Sequence, residues 1–127
     1  MKNMNGEVTK SLSDFIELIN IENKRFLTMC NAIGHEPCTT FWMDFSIAEP
    51  FGENAIVDTY ERAVEQFGRD VEYMAELTLV LNWKIWDIYE IDDELANIYN
   101  DLWQRHDSYC WDLFKGEEAR RYFEITD

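Results

Sequence analysis

From Gly52 to Gly116 the chain meets a single further glycine, Gly68, and no proline. Gly and Pro are the strongest local breakers of regular structure, so a stretch almost free of them favours long uninterrupted elements. Pro37, Pro50, Gly6 and Gly34 all fall before it. Between these marks the apolar spacing follows the helical period of three and four rather than strand alternation. The expected fold class is all-α: one compact helical bundle of about five to six helices. Residues 1–127 form a single domain on this reading, with the acidic helical core in 41–127.

The first helix is expected from Ser11, with Asp14 three residues on as a capping pair. Leu12, Phe15, Ile16, Ile19, Phe26 and Cys30 give it an apolar side, and a strand over Ile21–Met29 is the rival reading. Asn31–Thr40 reads as a loop, and Thr40 as the cap of a short helix, Phe41–Glu49, that Pro50 ends. Over Asn54–Phe67, Ile56, Val57, Tyr60, Ala63, Val64 and Phe67 share one arc, while Asp58, Glu61 and Glu65 line the other. Gly68 closes that helix and Asp70 can cap the next.

From Val71 to about Glu90 apolar residues project nearly all round, the mark of a helix enclosed by others. One stripe stays polar: Glu72, Glu76, Asp87 and Glu90 fall within about 60° on a helical wheel, with Trp83 in the same sector. Asp92, Asp93 and Glu94 read as the start of a partner helix, where carboxylates meet free N–H groups. That helix, Asp93–Phe114, carries Leu95, Ile98, Tyr99, Leu102, His106, Tyr109, Cys110 and Leu113 on one broad face, with Trp111 nearly opposite. After Gly116 a short helix over Glu117–Ile125 completes the chain.

Charge narrows the function classes. The chain holds 26 acidic and 11 basic residues, a net of −15, and residues 41–127 carry −14 of it. Such a surface repels phosphate backbones and anionic lipid, so neither direct nucleic-acid nor membrane binding is expected. The electrostatic complement is a basic surface on another protein. No apolar run approaches the roughly 20 residues of a membrane span. MKNMNGEVTKSLSDF has no apolar h-region, and three cysteines are too few for a disulfide scaffold, so a cytoplasmic setting is expected.

The phrases TTFWMDFSIAEPFG, AIVDTYERA, LTLVLNWKIW and FKGEEARRYFEITD, across Thr39–Asp127, resemble those of a group of small acidic proteins from phages and mobile elements of gut bacteria. The resemblance brings no activity, cofactor or catalytic residue with it. It implies a cytoplasmic protein encoded by an element that must survive host defences.

Few constellations carry chemistry. Cys30, His35 and Cys38 cluster in the loop, and His106 and Cys110 stand four apart on one helix face, which gives a weak candidate metal set. C-x4-H-x2-C matches no common finger; the plainer reading is buried thiols and a hydrogen-bonded core histidine. No cofactor is expected. Neither histidine has Glu three residues before it, which excludes a helical di-iron site. There is no G-x-S-x-G elbow or Gly-rich phosphate loop, and nothing arranges a Cys–His dyad.

A non-catalytic protein-binding module is the leading expectation, in its sharpest form an inhibitor that mimics nucleic acid to block a basic groove of a host defence protein. Its expected partner-binding residues are Asp58, Glu61, Glu65, Glu72, Glu76, Trp83, Asp87, Glu90, Asp92, Asp93, Glu94 and Trp111. The alternatives are a homo-oligomeric accessory protein, a small metal-binding protein, and an acidic surface that serves solubility alone.

Overall fold

The computed structural model describes residues 12–126 and folds them into six α-helices joined by short turns. Helix α1 spans Leu12–Ala32, α2 Thr39–Ala48, α3 Glu53–Phe67, α4 Val71–Ile88, α5 Asp93–Leu113 and α6 Glu117–Thr126. A 3-10 turn, Glu49–Phe51, follows α2 directly. The fold is the all-α bundle read from the apolar spacing, with no strand among the described residues. Ile21–Met29, for which a strand is the rival reading, is helical: Glu22 and Phe26 within it and Cys30 just beyond it are buried at four-residue intervals. The cap expected at Ser11 lies outside the described residues.

Two boundaries differ from expectation. Helix α1 runs on to Ala32, which shortens the loop to residues 33–38. Cys38, not Thr40, stands at the N-cap of α2 and makes no side-chain cap bond. The caps expected at acidic residues are in place. Asp70 accepts from the Glu72 and Tyr73 N–H groups at 3.0 and 3.2 Å, and Asp92 accepts from Leu95 N–H at 3.1 Å. Each satisfies N–H groups that have no partner within their helix. Asp70→Ala is expected to lower stability by about 1 kcal/mol, read as a shift in urea midpoint at unchanged m.

Helix α4 is the hub, packed against all five other helices. Met74, Ala75, Leu77, Leu79, Val80 and Leu81 are buried around its circumference, which explains an apolar pattern without a solvent side. Its most extensive partner is α5, reached through a four-residue turn and running antiparallel to it. Helices α3 and α5 run in the same general sense, since Tyr60 meets His106, Glu61 meets Arg105 and Gly68 meets Tyr109. At the last crossing Tyr109 Oη donates to the Gly68 carbonyl at 3.3 Å. A Cβ on Gly68 would clash with the Val64 carbonyl oxygen and lie 2.6 Å from that hydroxyl, and the backbone clash is the one that requires glycine.

Candidate partner-binding surface

The middle of the polar stripe read along α4 is not a surface, although Glu90 at its end is exposed. Glu76 is fully buried, because the loop between α1 and α2 folds down over it. Its Oε2 accepts from Cys38 N–H at 2.6 Å, and its Oε1 lies 2.8 Å from His35 Nε2. Burial raises the Glu76 carboxyl above its ordinary value, against the pull of Cys38 N–H and His35. Glu72 is shared between His35 Nδ1, at 3.4 Å, and Arg121. Asp87 is bonded to Arg25 at 2.7 Å and is largely covered. Trp83 is half-buried, with the edge of Phe26 against it and the Arg25 guanidinium 5.5 Å above its ring. Helix α1 therefore lies over the sector expected to meet a partner. Glu76, Asp87 and Trp83 belong to the interior of the fold.

The centre of that seam is Lys84, which the sequence shows only as an interruption of an apolar run. Its ammonium is buried 2.8 Å from Glu22 Oε1 on α1 and 2.6 Å from Glu49 Oε2 in the 3-10 turn. Burial alone would lower its pKa; the two carboxylates outweigh that and hold it above the ordinary lysine value. Burial raises Glu49, with Lys84 opposing the shift. A lysine kept charged in this way is a tie between segments and a poor nucleophile.

The candidate metal residues do not assemble. No group of three or more His, Cys, Asp or Glu side chains among the described residues is placed to hold an ion. His106 is fully buried; its Nε2 donates to the Met74 carbonyl at 3.0 Å and its Nδ1 accepts from Tyr60 Oη at 3.2 Å. Burial lowers its pKa to about 4. Cys110 Sγ is 3.7 Å from Nε2, but that nitrogen carries its proton toward Met74. Burial pushes the thiols of Cys30 and Cys110 up to about 12. Both nitrogens of His35 face carboxylates, which leaves none to activate Cys38.

The carboxylates of α3 do face solvent, although two of them have cations. Asp58 meets Arg62 at 3.2 Å and Glu61 meets Arg105 at 2.9 Å, both in exposed pairs of the kind that contribute little. Glu65 makes no ion pair among the described residues. Helix α5 adds a second acidic line beside the first. Glu94, Asp101 and Asp112 are exposed and within about 20° of one another on the wheel, and Arg105 bridges from the same line to α3.

Exposed apolar residues gather at the corner where α4 meets α5. Trp86 is 68% exposed, Tyr89 56% and Ile91 58%, and the Trp86 and Tyr89 rings lie 6.3 Å apart. Lys84 turns inward, and Trp86, about 200° further round the helix, emerges on the other side. Glu90, Asp93 and Glu94 are exposed around the corner without a cation among the described residues, while Asp92 is occupied as a cap. Trp111 is exposed at the far end of α5, where its ring stacks on Phe123 at 3.9 Å. Trp86, Tyr89 and Ile91 are not among the residues expected from the sequence, because the apolar positions outside the polar stripe read as core. Comparisons with family models, curated proteins and solved structures give no match to this chain. No helix among the described residues is long and apolar enough to cross a membrane.

Proposed function

We propose that this protein is a non-catalytic binding module whose acidic α3–α5 face engages a basic surface of another protein. The observation that carries this reading is the pair of carboxylate lines on neighbouring helices, Asp58, Glu61 and Glu65 beside Glu94, Asp101 and Asp112. The burial of His106, Cys30 and Cys110 and the double clamp on Lys84 support it, since each removes a reactive group from solvent. In the mobile-element setting that the resemblance implies, the partner is a host defence protein met in the cytoplasm.

Charge density favours a protein contact over close mimicry of nucleic acid. The six carboxylates and the guanidinium groups of Arg62 and Arg105 spread along about 27 Å of helix, one net negative charge per roughly 7 Å. Duplex DNA carries one per about 1.7 Å. A partner selected for this face reads a sparse pattern of acids.

The test reverses charge on one face at a time. Glu65 and Asp101 change to Lys in one variant, and Glu117 and Glu118, on α6, change to Lys in another, so that net charge is equal. Capture of a basic protein from host lysate, eluted by salt, is expected to fall about tenfold or more for the first variant and little for the second. Equal loss in both would leave acidity as a solubility device. An oligomer that persists at high salt and captures nothing would favour the homo-oligomeric alternative.

A further inference from the structure

We infer that the corner of α4 and α5 seats an arginine side chain of the partner, held between the Trp86 ring and the Glu90 carboxylate. The inference rests on the acidic-module reading and places its anchor. The molecule already builds this arrangement once. Trp83 and Asp87, four apart on α4, together hold Arg25: its guanidinium lies over the indole at 5.5 Å and bonds Asp87 Oδ1 at 2.7 Å. Arg105 repeats the chemistry over Tyr60, at 5.1 Å, while bonded to Glu61 at 2.9 Å. Trp86 and Glu90 are again a Trp and an acid at the same spacing, with Glu in place of Asp, displaced by three positions and about 60° around the helix.

Glu90 lies in the turn that follows α4. Tyr89 keeps helical angles, φ −55° and ψ −43°, and the Ile91 and Asp92 N–H groups both return to the Ile88 carbonyl, at 3.0 and 2.9 Å, so the chain holds a near-helical course past Glu90. Unlike Trp83 and Asp87, Trp86 and Glu90 have no arginine upon them among the described residues. An exposed Trp–Tyr pair, with exposed Glu90, Asp93 and Glu94 following within a few positions, suits a cation with a flat apolar face, and a guanidinium fits that description. An ammonium can satisfy a carboxylate but stacks less well and forms no two-pronged bond.

The test titrates the full chain, at low salt, with a short peptide of arginine alternating with glycine and with its lysine counterpart. The arginine peptide is expected to bind about tenfold more tightly and to move the Trp86 indole N–H resonance. Trp86→Ala and Glu90→Gln, both at exposed positions, are each expected to remove most of the preference while leaving the weaker lysine binding in place. Equal binding of the two peptides, or a preference that survives Trp86→Ala, overturns the inference and leaves the acidic module standing. Binding of neither peptide overturns both. Concentration-dependent self-association abolished by Trp86→Ala would show that a second copy covers the corner, and also overturns it.

Discussion

Lys84→Met is expected to destabilise the protein by about 3–5 kcal/mol, the largest effect of any single substitution considered for this fold. The methionine fits the space, but Glu22 and Glu49 then face one another, buried and without a counter-charge. The loss should show as a lower urea midpoint with m little changed. Converting the whole triad, with Glu22→Gln and Glu49→Gln added, is expected to recover most of it, because neutral groups carry no charge-desolvation penalty. Acid should also relieve the single variant. A carboxyl whose folded pKa is raised binds its proton in the folded chain before the unfolded one does. The deficit therefore shrinks as pH falls toward the ordinary carboxylate value of 4.5. A triple variant no more stable than Lys84→Met would show that packing, not charge, holds the seam.

His106 gives the second large effect, with the opposite dependence on pH. Its folded pKa, lowered to about 4 by burial, lies below the ordinary histidine value of 6.5. Between those two values the unfolded chain binds a proton that the folded chain refuses, so stability falls as pH falls. Across the window the change is roughly 3 kcal/mol from this residue alone. The raised carboxyls Glu49 and Glu76 work the other way, so the measurement is the difference between wild type and His106→Gln as a function of pH. That difference should be flat above about pH 6.5 and slope below it. Proton NMR should find the His106 ring neutral down to about pH 4. An imidazole that titrates near its ordinary value would mean that Tyr60 and Met74 do not enclose it.

The legible parts of the fold are those where one face is apolar and the other polar. On α3 and α5 the inward residues, Ile56, Tyr60 and Ala63 beside Tyr99, Leu102, His106 and Cys110, are buried as their spacing requires. Asp70 and Asp92 cap helices because an acid before an apolar run has few other local uses. On α4 the spacing of polar residues does not mark the solvent side. A helical wheel says which residues share a side, and it says nothing of what covers that side. Helix α1 meets α4 with Glu22 and Arg25, charged groups that no apolar periodicity marks as inward. Glu76 and Asp87 therefore passed for surface, and Lys84 for an interruption. The corner differs in reverse: an all-round apolar helix implies enclosure to its end, yet one side of its last turn and the residue after it face solvent, exposing Trp86 and Tyr89 while Ile88 stays buried. One signal lay in the letters throughout, a Trp followed four residues later by an acid, twice within WKIWDIYE.

The four-residue turn between α4 and α5 also orders events in time. Short loops close at small entropic cost, so this antiparallel pair can condense while the rest of the chain is still searching. The Lys84–Glu22 contact spans 62 positions and must wait for α1 to arrive. Interactions absent from the rate-limiting ensemble govern how fast a native state is lost rather than how fast it is gained. A contact of that span, the one between Glu22 and the Lys84 ammonium, is expected to weigh on how long the folded molecule lasts more than on how fast it forms.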